Sequence, residues 1–438
     1  MKLKSIVSLV FGIGVVFNLH AQILPAAFGV ATPSRPVASN LGSSGPLITS
    51  GLVLNLDASN AASYPGSGAT WTDLSGNGYN GTLVNGPTYS SANGGTIAFD
   101  GSDDVVSFGN ILNMGLNSWT LSCWVKFNSG SVPSSGPAGI IGKTSYRGYV
   151  GRYSFYIEDN NLHAFFQPDV NYSVTTPIAP YLDNKFHNLV MTIDRTSMMY
   201  FYIDGVSVGT PLNVSGVSSI DLNSSTDNFY IGSYGSNNGQ SPQYFFNGNV
   251  GQASIYNRAL TAAEVLQNYN AFRPRFLSIG DSYGGGKLAY VLKAGDPGYD
   301  ATTPHGLIAA TSDYATRIRW DNGSSITTGA TATALGTGLA NTNAIIAAQG
   351  AGSYAASVAR NHTEGGYSDW YLPSYDELKK LIDNKTAIGG FVSAGSTAWY
   401  YSSSESASDK AWLIFAVDGT WYANPKQETW NVRPVRAF

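Results

Sequence analysis

The sequence is poor in charge and in cysteine. Charged residues make up 12% of its 438 residues, about half the share usual for soluble domains. With a formal net charge of −4 and no basic cluster, the chain cannot present the basic face that nucleic-acid binding requires. In place of charged residues the chain is rich in glycine, serine, threonine, asparagine and tyrosine. A hydrophobic share of 43% and an aromatic share of 13% exclude a disordered chain.

The single cysteine, Cys123, stands in "WTLSCWVKF", where it alternates with Leu121 and Val125. Residues two apart share one face of a strand. We therefore expect a buried, inert thiol, and the absence of a second cysteine excludes an intrachain disulfide.

Carboxylate pairs suited to glycoside hydrolysis are scarce. Most glycosidases need two carboxylates that face one cleft. Residues 51–272 contain two glutamates, Glu158 and Glu264. Glu158 lies beside a predicted turn and Glu264 caps a predicted helix, so neither is placed for catalysis. Aspartate pairs stay open as an alternative.

Two serine motifs resemble hydrolase signatures. Ser207 in "GVSVG" follows an Asp-Gly turn, which predicts a hairpin strand rather than the strand–turn–helix of a nucleophile elbow. Ser282 in "IGDSYGGG" needs a nearby base. Because no histidine follows His362, only His305 and His362 remain as conceivable bases.

The N-terminus is typical of an export signal, as found in bacterial secreted proteins. Lys2 and Lys4 precede the apolar run "IVSLVFGIGVVFNL", and "LHA" offers a cleavage point after Ala21. The run is too short to favour a permanent membrane span. We predict a signal peptide at 1–21, a flexible leader at 22–50, and a protein that is secreted or held at the cell surface.

From residue 51 the pattern changes to short β-like runs separated by turns such as Asp100-Gly101 and Asp204-Gly205. Many strands without alternating helices predict an antiparallel β-sandwich over 51–272. Thr261 and Glu264 form a capping box at the start of one closing helix. Residues 273–276, "RPRF", are interpreted as a linker, and residues 277–438 as a smaller α+β domain.

Within the second domain, "GGYSDWYLPSYDELKKLIDN" predicts a helix that starts after Ser374. Pro373 disfavours helix at the residue before it, and Ser374 with Glu377 forms a second capping box. We expect Trp370 to be a core residue and Tyr371 to be open as a ligand contact. In "AWLIFAV", Trp412 alternates with Ile414 and is predicted to be buried.

Residues 51–272 resemble the LamG-like family of concanavalin A-type jelly rolls. The similarity rests on "IAFDGSDDVVSFG", "WTLSCWVKF", "FYIDGVSVG" and "NGNVGQASIYNRALTAAEV". Two positions depart from the family pattern. Phe186 stands where a tryptophan commonly precedes His187, and Gly251 stands where the family usually has an acid.

Residues 277–438 resemble the Lcl-type C-terminal domain, a C-type-lectin-like module. The matching segments are "DWYLPSYDEL", "YYSSSE" and "VRPVR", with Tyr371 in place of an arginine and Tyr401 in place of a tryptophan. Together the two resemblances imply a mostly β protein, a jelly-roll β-sandwich followed by a C-type-lectin-like domain. Both folds are used for recognition, often of glycans or cell surfaces.

Aromatic residues near predicted turns are the candidate ligand contacts, because flat rings pack against sugar faces and neighbouring amides bond to hydroxyls. The predicted set is Trp399, Tyr400, Trp421, Tyr422, Asn424, Tyr371 and Tyr234. Tyr146, Tyr149 and Tyr172 are weaker candidates in loops of the first domain.

The sequence therefore predicts a non-catalytic, adhesin-like protein that binds glycans or cell-surface ligands. The alternatives are an extracellular glycosidase or esterase, and a structural fibre or virion protein. We expect no cofactor. A structural calcium ion near Asp57 and Asp100 is the alternative, which the missing acid at Gly251 disfavours because calcium needs six or more oxygen ligands.

Overall fold

Short antiparallel strands dominate the computed structural model, which describes residues 46–91, 95–144, 151–223, 226–236, 241–300, 304–314 and 317–438. The predicted signal peptide and all of the leader before residue 46 lie outside these residues, as do Tyr146 and Tyr149. No helix within these ranges is both long and apolar enough to cross a membrane. The described residues all fall in one compact unit of the chain.

Eighteen strands form the first part of the described chain. They are β1 (Leu52–Asp57), β2 (Thr70–Trp71), β3 (Gly81–Val84), β4 (Thr88–Ser90), β5 (Thr96–Asp100), β6 (Val105–Ser107), β7 (Trp119–Phe127), β8 (Ala138–Lys143), β9 (Arg152–Glu158), β10 (Asn161–Gln167), β11 (Tyr172–Pro177), β12 (Phe186–Ile193), β13 (Met198–Ile203), β14 (Val206–Asn213), β15 (Phe229–Ile231), β16 (Ser233–Ser236), β17 (Ser241–Phe245) and β18 (Asn247–Tyr256).

These strands build two eight-stranded antiparallel sheets. The first has the order β14-β13-β12-β7-β18-β5-β4, with β1 also paired to β18. The second has the order β11-β10-β9-β8-β15-β6-β3-β2, and β16 and β17 form a separate hairpin. The non-sequential order is that of a jelly-roll sandwich, as the sequence predicts.

The two sheets enclose one hydrophobic core. Phe155 of β9 and Phe201 of β13 come from different sheets, and their ring centroids are 5.5 Å apart. Trp119 of β7 meets Tyr153 of β9 at 4.5 Å. Cys123 is fully buried in this core, and burial raises the pKa of its thiol. The expectation of an inert thiol is consistent with that environment.

Helix α1 (Ala262–Phe276) closes the sandwich with the predicted capping box of Thr261 and Glu264. The helix continues through the segment interpreted as a linker, so residues 273–276 are its last turn. Phe276 in that turn stacks on Trp124 at 4.5 Å and packs on Phe186 at 4.9 Å. The helix end is thus anchored on the outer face of the first sheet.

This anchoring accounts for one departure from the family pattern. A Cβ atom added at Gly251 would lie 2.4 Å from Cε1 of Phe276, closer than packed atoms can approach. The ring of Phe276 therefore fills the space that a side chain at residue 251 would need.

The remaining elements form the smaller α+β part. They are β19 (Ser282–Tyr283), β20 (Gly286–Val291), β21 (Gly306–Ala309), β22 (Ile318–Arg319), α2 (Gly338–Gln349), α3 (Ala355–Arg360), α4 (Tyr375–Asp383), α5 (Lys385–Ile388), β23 (Trp399–Ala407), β24 (Lys410–Phe415), β25 (Trp421–Pro425), β26 (Thr429–Trp430) and β27 (Val435–Ala437). The sheets have the orders β19-β20-β21-β27, β22-β26 and β23-β24-β25.

Helix α4 begins where the sequence predicts. The hydroxyl of Ser374 accepts a hydrogen bond from the amide of Glu377, and the carboxylate of Glu377 accepts one from the amide of Ser374. Leu378, Leu381 and Ile382 form its buried face, and Trp370 is fully buried.

Candidate functional site

Strand β25 lies at the edge of the three-stranded sheet β23-β24-β25 and carries two exposed aromatic rings. Trp421 is 53% exposed and Tyr422 is 59% exposed. Neighbouring residues of a strand point to opposite faces of its sheet, so the two rings lie on opposite sides of β25. A contiguous exposed apolar patch, unlike a single exposed ring, often marks an interaction site.

Tyr422 belongs to a group of rings that we call the Trp399 cluster: Trp399, Phe415, Tyr422 and Trp430. Trp399 of β23 lies directly opposite Phe415 of β24 in the sheet, and their rings stack at 4.6 Å. The ring of Tyr422 meets Trp399 edge-on at 5.5 Å. Trp430 lies 6.4 Å from Trp399. Cross-strand pairing thus places Trp399, Phe415 and Tyr422 on one face of the sheet, and Trp430 of β26 adds a fourth ring.

Polar groups border the Trp399 cluster. Asn424 is two residues beyond Tyr422 on β25 and therefore shares its face. Its side-chain amide donates a hydrogen bond to Oε2 of the exposed Glu428 at 3.0 Å. An amide and a carboxylate next to flat rings are the groups that bind sugar hydroxyls while the rings pack on the apolar sugar face.

The opposite face of β25 carries the Trp421 cluster, which consists of Tyr375, Trp412 and Trp421. Trp421 meets Trp412 at 5.2 Å and Tyr375 at 6.2 Å, both edge to face. Trp412 is half-buried rather than buried, so its predicted placement in the core is wrong. In β24, Ala411 and Leu413 face the core on one side of the sheet, and Trp412 lies on the other side, next to Trp421.

Tyr400 is not a ligand contact. It is fully buried against Leu378 and Ile382 of α4. Its hydroxyl donates to the carboxylate of Asp313 and accepts from the amide of Val392, and burial raises its pKa. The prediction fails because alternation along β23 turns Tyr400 inward while its neighbour Trp399 is partly exposed.

Tyr371 is also wrong as a predicted contact. It is buried, and its hydroxyl donates to Oε1 of Glu377 at 3.3 Å. Burial first, and then the charge of Glu377, raises the pKa of Tyr371. Through this hydrogen bond to Glu377, Tyr371 helps to hold the capping box at the start of α4.

Tyr234 lies in the jelly roll on β16, half-buried, with its ring 5.3 Å from that of Tyr156. It does not join the rings of β25. Of the seven predicted residues, the structure therefore brings Trp399, Tyr422 and Asn424 together on one face of the sheet and places Trp421 on the opposite face. Sequence reasoning missed Tyr375, Phe415 and Glu428. Phe415 lies beside Trp399 through the pairing of β23 with β24.

The residues considered for hydrolysis make structural contacts instead. Glu264 is held by both terminal nitrogens of Arg258 at 2.7 and 2.9 Å. That pairing lowers the pKa of Glu264 to about 2, so it is a poor proton donor. Ser207 lies in β14, paired with β13 in a hairpin, as predicted. The hydroxyl of Ser282 accepts a hydrogen bond from Nζ of Lys287 at 3.1 Å.

Asp57 and Asp100 have separate environments. The carboxylate of Asp57 pairs with Arg275 and accepts hydrogen bonds from Ser59. Asp100 instead lies with Asp103 and Asp104, whose carboxylate oxygens come within 4.8 Å of one another. Three carboxylates carry six oxygens, the lower limit of the six to eight that calcium takes, and Asp100 and Asp103 are exposed. A calcium ion here stays a prediction.

The comparisons with protein families match both halves of the chain. Residues 100–266 match the concanavalin A-like lectin/glucanases superfamily, and residues 309–436 match the Lcl C-terminal domain. The chain joins a concanavalin A-like domain to an Lcl C-terminal domain. Both resemblances found in the sequence are confirmed, and the clusters of β25 lie in the Lcl domain. None of the curated proteins compared with the chain matches it.

Solved structures similar to the chain include toxin binding domains. The receptor binding domain of botulinum neurotoxin C/D mosaic serotype is 16% identical, covers 64% of this chain and 59% of its own, and has a TM-score of 0.41. The binding domain of Paraclostridial Mosquitocidal Protein 1 is 17% identical over 60% of this chain and 65% of its own, with a TM-score of 0.39. The chain spans less than two thirds of either structure. Likenesses this weak carry no argument about function.

Proposed function

We propose that this is a non-catalytic recognition protein that binds glycans through the aromatic surface of β25. The observation that carries the proposal is the exposure of Trp421 and Tyr422 on an edge strand, each backed by further rings. Preformed rings lose little conformational entropy when a ligand binds. Asn424 and Glu428 supply the hydrogen bonds that would orient a sugar on the Trp399 cluster.

The runner-up is an extracellular glycosidase or esterase, because the family of the first domain includes glucanases as well as lectins. The bonds of Glu264 to Arg258 and its lowered pKa favour the binding role. Release of reducing sugar or of ester product by the purified chain, abolished by Ser282→Ala or by an aspartate variant, would establish the enzyme instead.

The binding proposal is tested on a glycan array with the full chain, followed by calorimetry with the best ligand. Tyr422→Ala is expected to weaken binding about tenfold, which corresponds to about 1.4 kcal/mol, because it removes the exposed ring of the Trp399 cluster. Trp421→Ala tests the Trp421 cluster in the same way, through the loss of affinity that it causes.

Tyr299→Ala is the matched control, since Tyr299 is another exposed tyrosine of the same part of the chain but lies outside both clusters. Its affinity should equal that of the unmodified chain. If no glycan binds the folded full chain, or if Tyr299→Ala weakens binding as much as Tyr422→Ala, the carbohydrate proposal at β25 is wrong.

We further propose that the protein acts outside the cytoplasm, after cleavage of the signal peptide at 1–21. The support is the sequence pattern of Lys2, Lys4, the apolar run and the site after Ala21. Mass spectrometry of the protein isolated from its host should give a mature N-terminus at Gln22. An intact Met1 would instead favour the structural fibre or virion alternative, whose assembly takes place in the cytoplasm.

A further inference from the structure

A second concave surface lies outside the two clusters of β25. It borders the serine motif around Ser282, since Tyr283, Gly284 and His305 are among its lining residues. It is a cleft of about 720 Å³, within the range of about 300–1,000 Å³ that small-ligand sites occupy. One wall is the end of α1 with the loops after β1, and the other consists of β19 and the C-terminal residues. Both domains therefore contribute to it.

The Lcl side of the cleft presents aromatic rings. Tyr283, Tyr367 and Phe438 all line it, and all three are half-buried. Tyr283 and Phe438 meet edge to face at 5.1 Å, which fixes the orientation of both rings. Half-buried rings in a concave wall offer apolar faces without the freedom of an exposed side chain.

Charged groups that line the cleft are held in place by their own partners. Arg436 lies 3.9 Å from the centroid of Tyr367 and pairs with both oxygens of Asp369 at 2.7 and 2.9 Å. Arg275, on the opposite wall, pairs with Asp57. Fixed planar groups of this kind bind a ligand without a large loss of side-chain entropy.

Side-chain amides complete the lining. Asn270 on α1 and Asn60 after β1 both border the cleft and are half-buried. A purely apolar ligand would cover these amides without offering them a hydrogen-bond partner, which is unfavourable for a polar group removed from water. Rings on one wall and amide, carboxylate and guanidinium groups on the other suit a ligand with an apolar face and a polar edge.

We propose that this cleft is a second carbohydrate-binding site, which holds one end of a glycan between the two domains. A pyranose has the required apolar face and hydroxyl rim. The inference rests on the proposed function for the class of ligand but uses none of the residues of β25. It makes the domain junction a composite site, which neither domain contains alone.

The test uses the full chain with Trp421→Ala and Tyr422→Ala combined, so that the site at β25 is removed. The probes are oligosaccharides of glucose, galactose, mannose and N-acetylglucosamine, with oligogalacturonate as the acidic member. Calorimetry should show two sites on the unmodified chain for a ligand that fits both, and one remaining site on the double variant. Adding Tyr367→Ala should weaken that remaining site at least tenfold.

Two further variants separate loss of binding from loss of structure. Tyr367→Phe keeps the ring under Arg436 and should bind as the double variant does. Asn270→Ala, on the surface of α1, should weaken the remaining site at least threefold without a change in melting temperature. In hydrogen exchange, the bound ligand should slow backbone amides in both 270–276 and 282–286.

The outcomes distinguish the two proposals. If the unmodified chain binds a glycan and the double variant binds none, the cleft proposal is wrong and the proposed function stands. The cleft proposal is also wrong if the remaining site is insensitive to both Tyr367→Ala and Asn270→Ala. If no probe binds the unmodified chain, both proposals are contradicted.

Discussion

At the scale of single residues, His187 is the group with the clearest electrostatic role. It is fully buried in β12, with Nδ1 2.9 Å from Asp204 and Nε2 3.0 Å from Asp183. Burial by itself lowers the pKa of His187, but the hydrogen bonds and charges of the two aspartates outweigh burial and raise it above 6.5. The protonated imidazole donates to both carboxylates and so joins two loops of the sandwich.

We predict that His187 stabilises the jelly roll more at acidic than at alkaline pH. Because its pKa is raised in the folded state, its contribution is complete below pH 6.5 and is lost as the pH rises through the folded pKa. Urea unfolding of His187→Gln should show a cost of about 3 kcal/mol at pH 6 and a smaller cost at pH 9.

His163→Gln is the control, since burial lowers the pKa of that half-buried histidine. The cost of His163→Gln in free energy of unfolding should not become smaller as the pH rises from 6 to 9. A cost of His187→Gln that stays constant from pH 6 to 9 would show that the residue acts through packing alone.

At the scale of elements, the two capping boxes start the helices that matter for the fold. Thr261 begins α1 and Ser374 begins α4, and in each case the glutamate three residues on completes the box. Ser374 has an additional role, because its hydroxyl also donates to the carbonyl of Ala334 at 2.9 Å. It thereby joins the start of α4 to the loop before α2.

Ser374→Ala should lower the free energy of unfolding by about 1–2 kcal/mol, because the variant loses the helix cap and the hydrogen bond to the carbonyl of Ala334. Glycan binding should not change, since Ser374 lies outside both clusters and the cleft. Thermal and urea unfolding measure the first effect, and calorimetry measures the second.

Ser393→Ala, at an exposed loop position, is the matched control and should stay within about 0.5 kcal/mol of the unmodified chain. A still-folded Ser374→Ala variant that no longer binds glycans would show that the helix start contributes to the site directly.

At the scale of the whole molecule, the last turn of α1 connects the two domains. Phe276 packs on the outer face of the sandwich with Trp124 and Phe186, while Arg273 in the same turn donates to the carbonyl of Ser282 in the Lcl domain at 2.9 Å. Lys185 of the jelly roll pairs with Asp281 at 2.5 Å. The packing at Gly251 is therefore part of the connection between domains.

Gly251→Ala is predicted to cost about 1–3 kcal/mol by overpacking against Phe276, and Phe276→Ala about 3–5 kcal/mol by leaving a cavity. The double variant should cost at least 1 kcal/mol less than the sum of the single variants, since the clash disappears with the ring. Additive costs in urea unfolding would mean that the two positions do not contact each other.

Much of the fold could be predicted from local patterns. Both capping boxes, the hairpin that carries Ser207 and the buried strand around Cys123 follow from the order of a few neighbouring residues. The least predictable feature was which ring of an adjacent pair points outward. Trp399 and Tyr400 are equally aromatic, and only the packing of α4 against one face of β23 decides that Tyr400 is buried.

The sequence by itself determined the two domain types, the positions of most strands and helices, and the aromatic supply of β25, because turn residues, period-two alternation and caps act over short distances. Only the tertiary structure decided that Tyr371 and Tyr400 are internal, that Trp412 lies beside Trp421, and that α1 continues through residues 273–276 to fill the space above Gly251. Those outcomes depend on contacts between residues far apart in the chain, which no local pattern records.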